Sequence, residues 1–410
     1  MNIDDSSQIR PCTSCQMCGA VCPVDAITIE KNKFGFYRPV INISKCIDCG
    51  VCVKSCYKFD DNIKSTESFT GKKLFSAWAK DKEIVASTTS GGIADILVKE
   101  LIAQGYKCIG IEYDCSSNLA ISKIAETLED TDSFKGSKYI QAYTVDSFKE
   151  LVKNHKNEKF AVFGLPCHIY AIDKYLRNKG TRHDHLLIDL YCHGCPSLDL
   201  WKKYIDKILN EKDCNKVVSV NFRSKVRGWG NFYVVVVVVE GVKGRKTYVS
   251  PRINDPFYTM FFSDIILNDS CYGCKLRSTL EYTDIRLGDF WGNKFIHNNS
   301  GVSGVTICTE NGMKLFESTI DDIEYNKQLF KSFLPFQSYG KKYDENFNLR
   351  NELLLKLSDN DIDLKEVIRS YNKSRSYKER FLSNCKNAVK LLPNNMLSSF
   401  KSLAYKLKYN

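Results

Sequence analysis

The chain predicts an α/β protein with a small cysteine-dense module at its N-terminus and a β-rich C-terminal half. Three observations predict this. Two cysteine blocks of matching spacing precede Asp60, strands and helices alternate from about residue 73 to residue 215, and β-rich segments dominate from Val217 onward. With 410 residues and a prior of about 150 residues per domain, two or three domains are expected. We divide the chain into residues 1–62, 73–215, 216–345 and a basic helical tail over 346–410.

The first block, "CTSCQMCGAVCPVDA", places Cys12, Cys15, Cys18 and Cys22-Pro23 in the pattern C-x₂-C-x₂-C-x₃-C-P. This is the bacterial ferredoxin run, in which the fourth cysteine of a two-cluster protein ligates the other cluster. The second block, "CIDCGVCVKSC", repeats the spacing with Cys46, Cys49, Cys52 and Cys56. We therefore assign one [4Fe-4S] cluster to Cys12, Cys15, Cys18 and Cys56, and a second to Cys46, Cys49, Cys52 and Cys22. Structural zinc also uses C-x₂-C pairs, but three cysteines per block and a crossing fourth suit cubanes better. Tyr57 stands where proline usually follows the last cysteine. Between the blocks, "AITIEKNKFGFYRPVIN" reads as a hairpin turning near Gly35, and the polar run Asp60 to Lys73 reads as a linker.

The alternation that follows argues for a substantially parallel sheet. "GGIADILVKELIAQG" sets Ile93, Leu97, Val98, Leu101 and Ile102 on one helical face and stops at Gly105. "CIGIEYD" alternates as a strand, "KFAVFGLPC" is a strand running into the helix "HIYAIDKYLRN", and "HLLIDLYC" is a strand before the helix "SLDLWKKYIDKIL". "VVSVNFR", "FYVVVVVV" (Phe232 to Val239) and "RKTYV" are later strands. The greasy run is far too short to span a bilayer.

Cys167 and Cys192 each end a predicted strand, and ligands of open parallel sheets gather at carboxyl ends of strands. The pair Cys271 and Cys274 in "CYGC" supplies two more thiols that a loop can fold over them. The composite is a candidate third [4Fe-4S] site, against the alternative that each is a small buried hydrophobe. Cys195 in "CHGCPS" competes as a ligand. Cys108, Cys115, Cys214, Cys308 and Cys385 have no partner spacing.

Eighteen cysteines without a readable secretion signal argue for metal or redox chemistry in a cytoplasmic, reducing setting. Hydrophobic content of 43% and charged content of 26% suit a soluble globular chain. The formal charge of +11 is uneven: from Lys365 to Asn410, eleven Lys/Arg face two acids, a local net of +9. The body is nearly neutral, which excludes a basic nucleic-acid groove. The tail reads as a solvated helical pair, with contact to a membrane surface as the alternative.

In order along the chain, "TTSGGIADIL", "FKGSKYIQA", "FGLPCHIYA", "LYCHGCPS", "VNFRSKVRGW", "SCYGC" and "DIRLGDFWG" resemble the coenzyme F₄₂₀ hydrogenase/dehydrogenase β-subunit family. The resemblance implies a bacterial-ferredoxin-like module followed by an α/β flavin-binding domain and a domain completing the site. It implies FAD beside a [4Fe-4S] held by Cys167, Cys192, Cys271 and Cys274, with Cys195 standing where a small apolar residue is usual and His168 where glutamine is common. It implies flavin contacts at Ser90, Gly91 and Gly92 and at Gly136, Ser137, Lys138 and Tyr139. A helix start with glycines and a lysine suits a phosphate; a capped helix start and an ordinary loop would read the same. Arg223, Lys225, Arg227 and Trp229, with Asp289, Phe290 and Trp291, are candidates to line the second substrate's site, or a solvated β-edge.

The expected function is an oxygen-sensitive, anaerobic iron–sulfur flavoprotein oxidoreductase. Electrons would pass between an external carrier (ferredoxin or similar), the clusters and FAD, with hydride transfer to or from F₄₂₀ or another small organic molecule. No residue is assigned as acid or base. The competing readings are an electron-relay subunit docking to a separate catalytic partner, and a zinc-bearing scaffold.

Overall fold

A computed structural model describes residues 1–231, 235–251, 254–344, 346–390, 392 and 394–409. The predicted N-terminal hairpin forms from β1 (Ile27–Lys31) and β2 (Tyr37–Ile41), paired antiparallel. Its turn depends on Gly35, whose φ of +73° is left-handed and where a Cβ would lie 2.5 Å from Ser197 Oγ.

The body is one sheet. Its strands are β3 (Lys73–Ala79), β4 (Lys107–Asp114), β5 (Leu119–Ala125), β6 (Ala142–Tyr143), β7 (Phe160–Gly164) and β8 (Leu186–Leu190). After β9 (Lys216–Asn221), β10 (Val236–Gly241) and β11 (Gly244–Val249), the chain returns to it with β12 (Ile285–Asp289), β13 (Ser303–Ile307) and β14 (Ile323–Gln328). The order is β14-β3-β13-β12-β8-β7-β4-β5-β6, and β9 to β11 form a separate three-stranded antiparallel sheet. The centre, β12-β8-β7-β4, is parallel as expected. The flank carrying β13, β3 and β14 is antiparallel, so the large sheet is mixed. Of the run Phe232 to Val239, residues 232–234 lie outside the described residues, and β10 takes up the chain from Val236.

Alternation along each strand assigns side chains to two cores. Cys108, Ala161, Leu186 and Ile188 join one core, under the helices Ile93–Ala103 and Glu310–Ser318. Ile109, Phe160, Val162 and Leu187 join the other, under the helices Val145–Asn154 and Pro166–Lys179. That second core also contains Ile3, Met17, Val21, Tyr57 and Ile63, so the cysteine module shares its core with the α/β body. The expected linker is accordingly pinned. Ile63 is buried, Asp60 accepts from the Tyr170 hydroxyl at 2.6 Å, and Thr66 N–H donates to Ser278 O at 2.7 Å.

The tail divides. The helices Phe347–Ser358 and Leu364–Ser374 bury Leu353, Leu354, Leu357, Leu364 and Val367 beside Trp201 and Phe257, so they belong to the body. The helices Tyr377–Lys390 and Asn394–Tyr409 form the terminal pair, with Phe381, Phe400 and Leu403 exposed. Among the described residues no helix is long and apolar enough to cross a membrane.

Candidate cysteine relay and anion cleft

The two cysteine blocks share a backbone as well as a spacing. Ser14 and Asp48, each two residues after a leading cysteine, have φ near +61° and +48°. Gln16 and Gly50, each one residue after the second cysteine, have φ of +65° and +72°. Left-handed residues at matched positions curl each loop about its own thiols, and a short helix follows (Met17–Ala20, Val51–Lys54). A non-glycine residue in this region is strained and persists only when its surroundings fix it. Gln16 is fixed: its amide donates to Ala142 O at 2.6 Å and accepts from Thr144 N–H at 2.9 Å.

Cys12, Cys15, Cys18 and Cys56 line one recess of about 420 Å³, counting its open side, together with Cys52. Burial, then the neighbouring Cys15, Cys12, Cys56 and Cys52, pushes the Cys18 thiol well up. Cys52 in turn feels burial, then Cys49 and Cys22. The fourth cysteine of the second block, Cys56, thus stands with the first block's leading three, and Cys22 stands near Cys52. All eighteen cysteines are free thiols. Among the described residues no three or more His, Cys, Asp or Glu side chains form a group that could hold a metal ion.

Cys167 and Cys192 follow the adjacent parallel strands β7 and β8, as their strand-end positions require. The loop bearing Cys271 and Cys274 folds over them, zipped to the other by Asn268 N–H donating to Cys195 O (2.9 Å). Cys195 joins this group: burial and then Cys192, Cys271 and Cys274 hold its thiol well up. Cys167 feels burial, then Cys195, Cys15, Cys192 and Cys274, so the third group also reaches the first recess. Tyr57 occupies that junction. Its hydroxyl accepts from Lys275 N–H at 3.1 Å, and Cys274 and Cys167 are among the neighbours that raise it. The residue replacing the expected proline is a strut between two cysteine groups, a role that spacing alone does not signal.

The second feature is a cleft of about 470 Å³, including its mouth, lined by Thr88, Thr89, Lys135, Gly136, Ser137, Lys138, Arg223 and Lys225. Of the expected flavin contacts, Gly136, Ser137 and Lys138 line it; Ser90, Gly91, Gly92 and Tyr139 do not. Ser90 Oγ donates to Val302 O (3.0 Å), and Gly91 N–H donates to Ser303 Oγ (3.1 Å). The turn between the helices Lys82–Ser87 and Ile93–Ala103 is thereby spent on Val302 and the start of β13, and Thr88 and Thr89 present the lining instead. Thr89 Oγ1 accepts from Ser137 N–H at 2.8 Å and joins the two segments. Lys138 Nζ donates to Ser133 O, Phe134 O and Lys135 O, each at 3.0 Å, and burial lowers its pKa to about 7.

Arg223 pairs with Asp289 at 2.7 Å, and the Trp229 indole donates to the same carboxylate at 3.0 Å. Trp229 stacks on Trp291, with ring centroids 4.4 Å apart. The two segments expected to meet at a second substrate therefore do meet. Tyr139, bonded to Arg223, packs on Phe261, and Phe261 stacks on His193 next to Cys192. An unbroken aromatic path thus joins the cleft wall to the third cysteine group.

Residues 157–329 match the family described as the C terminus of the beta subunit of coenzyme F₄₂₀ hydrogenase/dehydrogenase, and residues 11–58 match a 4Fe-4S dicluster domain. Residues 157–329 thus carry this family's C-terminal region, behind a 4Fe-4S dicluster domain in the same chain. The family match spans Cys167 through Cys274 and Asp289, and the dicluster match spans all eight N-terminal cysteines. The F subunit of the F₄₂₀H₂ dehydrogenase of Methanosarcina mazei is 26% identical over 329 residues, covering 76% of this chain and 83% of that protein. The beta subunit of the coenzyme F₄₂₀ hydrogenase of Methanococcus voltae is 25% identical over 268 residues, covering 62% and 86%. A chain of the xenon-derivatized F₄₂₀-reducing [NiFe] hydrogenase complex from Methanosarcina barkeri aligns with TM-score 0.44 and 18% identity, over 74% of this chain and 90% of that one.

Two predictions arise here. Gly91 has no room for a side chain: a Cβ would lie 2.5 Å from Ala77 O and 2.9 Å from Ser303 N, both backbone atoms of the sheet. Gly91→Ala is expected to cost about 1–3 kcal/mol in urea unfolding, the ordinary penalty of overpacking.

Lys225 Nζ donates to Ser90 O at 2.7 Å, and burial, then the Arg223 charge, lowers its pKa to about 8. Between about pH 8 and 10 the folded chain binds fewer protons here than the unfolded chain, so this group makes stability rise with pH in that window. Anion binding runs the other way. On the diphosphate-binding reading proposed below, affinity for ADP, read by calorimetry, is expected to fall about tenfold as pH is raised from about 7 to about 9, since one charge-assisted contact is lost.

Proposed function

We propose that this chain is an iron–sulfur flavoprotein oxidoreductase subunit that exchanges electrons with an external carrier and reduces or oxidises F₄₂₀ or a related small organic molecule. The carrying observation is the order of the thiol groups. They run from the exposed Cys49, through the recess of Cys12, Cys15, Cys18 and Cys56, to Cys167 and Cys192, and onward through His193 and Phe261 to the cleft wall.

By residue type the donor sets suit the groups proposed, although among the described residues the thiols are not drawn together to ligand geometry. Cys12, Cys15, Cys18 and Cys56 would hold one [4Fe-4S], Cys46, Cys49, Cys52 and Cys22 a second, and Cys167, Cys192, Cys271 and Cys274 a third, with Cys195 in competition. Free, mutually crowded thiols suit cationic iron, which relieves the repulsion that otherwise keeps them protonated. The cleft offers hydroxyls of Thr88, Thr89 and Ser137 and the cations Lys225 and Arg223, a set suited to the diphosphate of FAD. When bound, clusters supply one-electron exchange and a flavin supplies the junction to two-electron chemistry.

The chain's own residues hold and shield. Tyr57 fixes the Cys274 loop against the first recess. Burial of Cys15 and Cys52 excludes water from the thiols. The Arg223–Asp289 pair holds the cleft wall, and Gly136, with open space where its Cβ would be, allows close approach of a ligand.

Anaerobic titration of the cofactor-loaded chain with reduced F₄₂₀, followed by flavin absorbance, tests this reading. Bleaching at stoichiometric reductant is expected. Persistent oxidised flavin with F₄₂₀, but bleaching by reduced ferredoxin, would remove F₄₂₀ as the substrate. A second reading, a relay subunit docked to a separate catalytic partner, draws support from the relatives, which are named as subunits. It requires flavin reduction without turnover of any small molecule by the isolated chain.

A further inference from the structure

A buried charge is costly unless an opposite charge answers it, so the partners of a buried arginine are informative. Four arginines are buried among the described residues: Arg223, Arg277, Arg286 and Arg350. Three of them have a carboxylate. Arg223 pairs with Asp289 at 2.7 Å, Arg286 with Asp189 at 2.5 Å and Arg350 with Asp269 at 2.7 Å. Arg277 is 4% exposed and has no carboxylate within ion-pairing distance among the described residues. Its guanidinium donates to two main-chain carbonyls, Lys341 O at 2.6 Å and Cys271 O, and lies over the Tyr343 ring at 4.3 Å. Lys341 brings a second cation to the same ring, at 4.5 Å, and Asp264 answers that one at 3.4 Å. Carbonyl dipoles and a ring face soften the desolvation of Arg277, but they carry no net negative charge.

The neighbours of this cation are the thiols of the third cysteine group. Arg277 sits in the short helix Lys275–Ser278 that follows Cys274, and one carbonyl it holds belongs to Cys271. Burial and then the neighbouring thiols push Cys192, Cys195 and Cys271 up, and the Arg277 charge opposes this at all three. We infer that Arg277 is the counter-cation of an anionic [4Fe-4S] in the third cysteine group, a positioning residue that holds the Cys271 loop and sets the potential at which that group accepts an electron. The inference rests on the three-cluster reading above. Four thiolates around a cubane leave a net negative assembly, and reduction by one electron adds a further negative charge with no bond made or broken. A fixed cation beside it favours the reduced form and so raises the potential. A mere staple between Lys341 and Cys271 would act through its hydrogen bonds alone, and its charge would be immaterial.

Redox titration of the reconstituted full chain, followed by electron paramagnetic resonance, separates the two roles. The third group's signal is the one missing from Cys167→Ser. In Arg277→Gln, which keeps amide donors without the charge, the one-electron equilibrium of that signal is expected to shift about tenfold toward the oxidised form, about 59 mV lower in potential. Arg277→Lys keeps the charge and should stay closer to wild type than Arg277→Gln. A wild-type potential in Arg277→Gln, or an equal shift in both variants, overturns the inference and leaves a staple. Should the signal vanish from Arg277→Gln and persist in Arg277→Lys, the charge is needed to assemble the cluster, which supports the inference; loss from both assigns a packing role alone and overturns it. A wild-type chain with the same iron and signals as Cys167→Ser would instead sink the third-cluster reading, and the need for a counter-cation with it.

Discussion

Replacing Cys167 with serine is expected, on the three-cluster reading proposed above, to lower bound iron from about twelve to about eight atoms per chain, with a matching loss of acid-labile sulfide. Cys167 is the second residue of the helix Pro166–Lys179, and its neighbours are thiols from three separate segments: Cys15, Cys192 with Cys195, and Cys274. A serine hydroxyl is a poor ligand at this position, because burial and the adjacent thiols oppose its ionisation. Cys308→Ser is the control. Its thiol is also pushed up, to about 12, by burial and then Asp189, with no cysteine beside it, and its iron count should not change. Retention of all iron by Cys167→Ser would reduce the third group to packing. Comparing Cys192→Ser with Cys195→Ser then identifies the remaining ligand, since five thiols surround four positions; the variant that keeps its iron marks the spare.

Asp289→Ala is expected to destabilise the chain by about 3–5 kcal/mol, the cost of breaking a buried ion pair from one side. The carboxylate holds Arg223 and the Trp229 indole together, and Arg223 is 5% exposed. Alanine leaves the guanidinium in a desolvated wall without its carboxylate. Removing both charges with Arg223→Met and Asp289→Leu is expected to cost less than the single change, because an apolar pair of similar volume carries no desolvation penalty. Urea midpoints at constant slope measure both. A cost below about 1 kcal/mol for Asp289→Ala would mean that solvent reaches the pair and that the cleft wall is softer than its geometry indicates.

The grouping of Cys12, Cys15, Cys18 and Cys56 in one recess was legible because three of the four lie within seven residues, and the duplicated block pointed to the crossing fourth. The helix over Ile93–Ala103 and the strands β7 and β8 were legible for the same reason: periodicity is a property of neighbouring residues. Strand ends then placed Cys167 and Cys192 correctly side by side, since parallel topology puts their carboxyl ends on one edge.

Other features depended on distant partners. Tyr57 as a strut needs Lys275, and Gln141, donating to Gly35 O and Pro196 O, fastens the hairpin from more than a hundred residues away. The shift of the cleft lining from Ser90 and Gly91 to Thr88 and Thr89 follows from Val302 and Ser303 at the start of β13, which claim the Ser90 hydroxyl and the Gly91 N–H. Composition marked residues 346–410 as a tail, yet only packing against Trp201 and Phe257 shows that Leu353 and Val367 are core. The sequence by itself determined which thiols repeat, where strands end and how the parallel centre is built, because each of these is encoded in spacing. The tertiary structure alone decided which polar groups are already satisfied, which thiols stand beside Cys167 and which apolar residues remain outside, because those depend on what the rest of the chain brings against them.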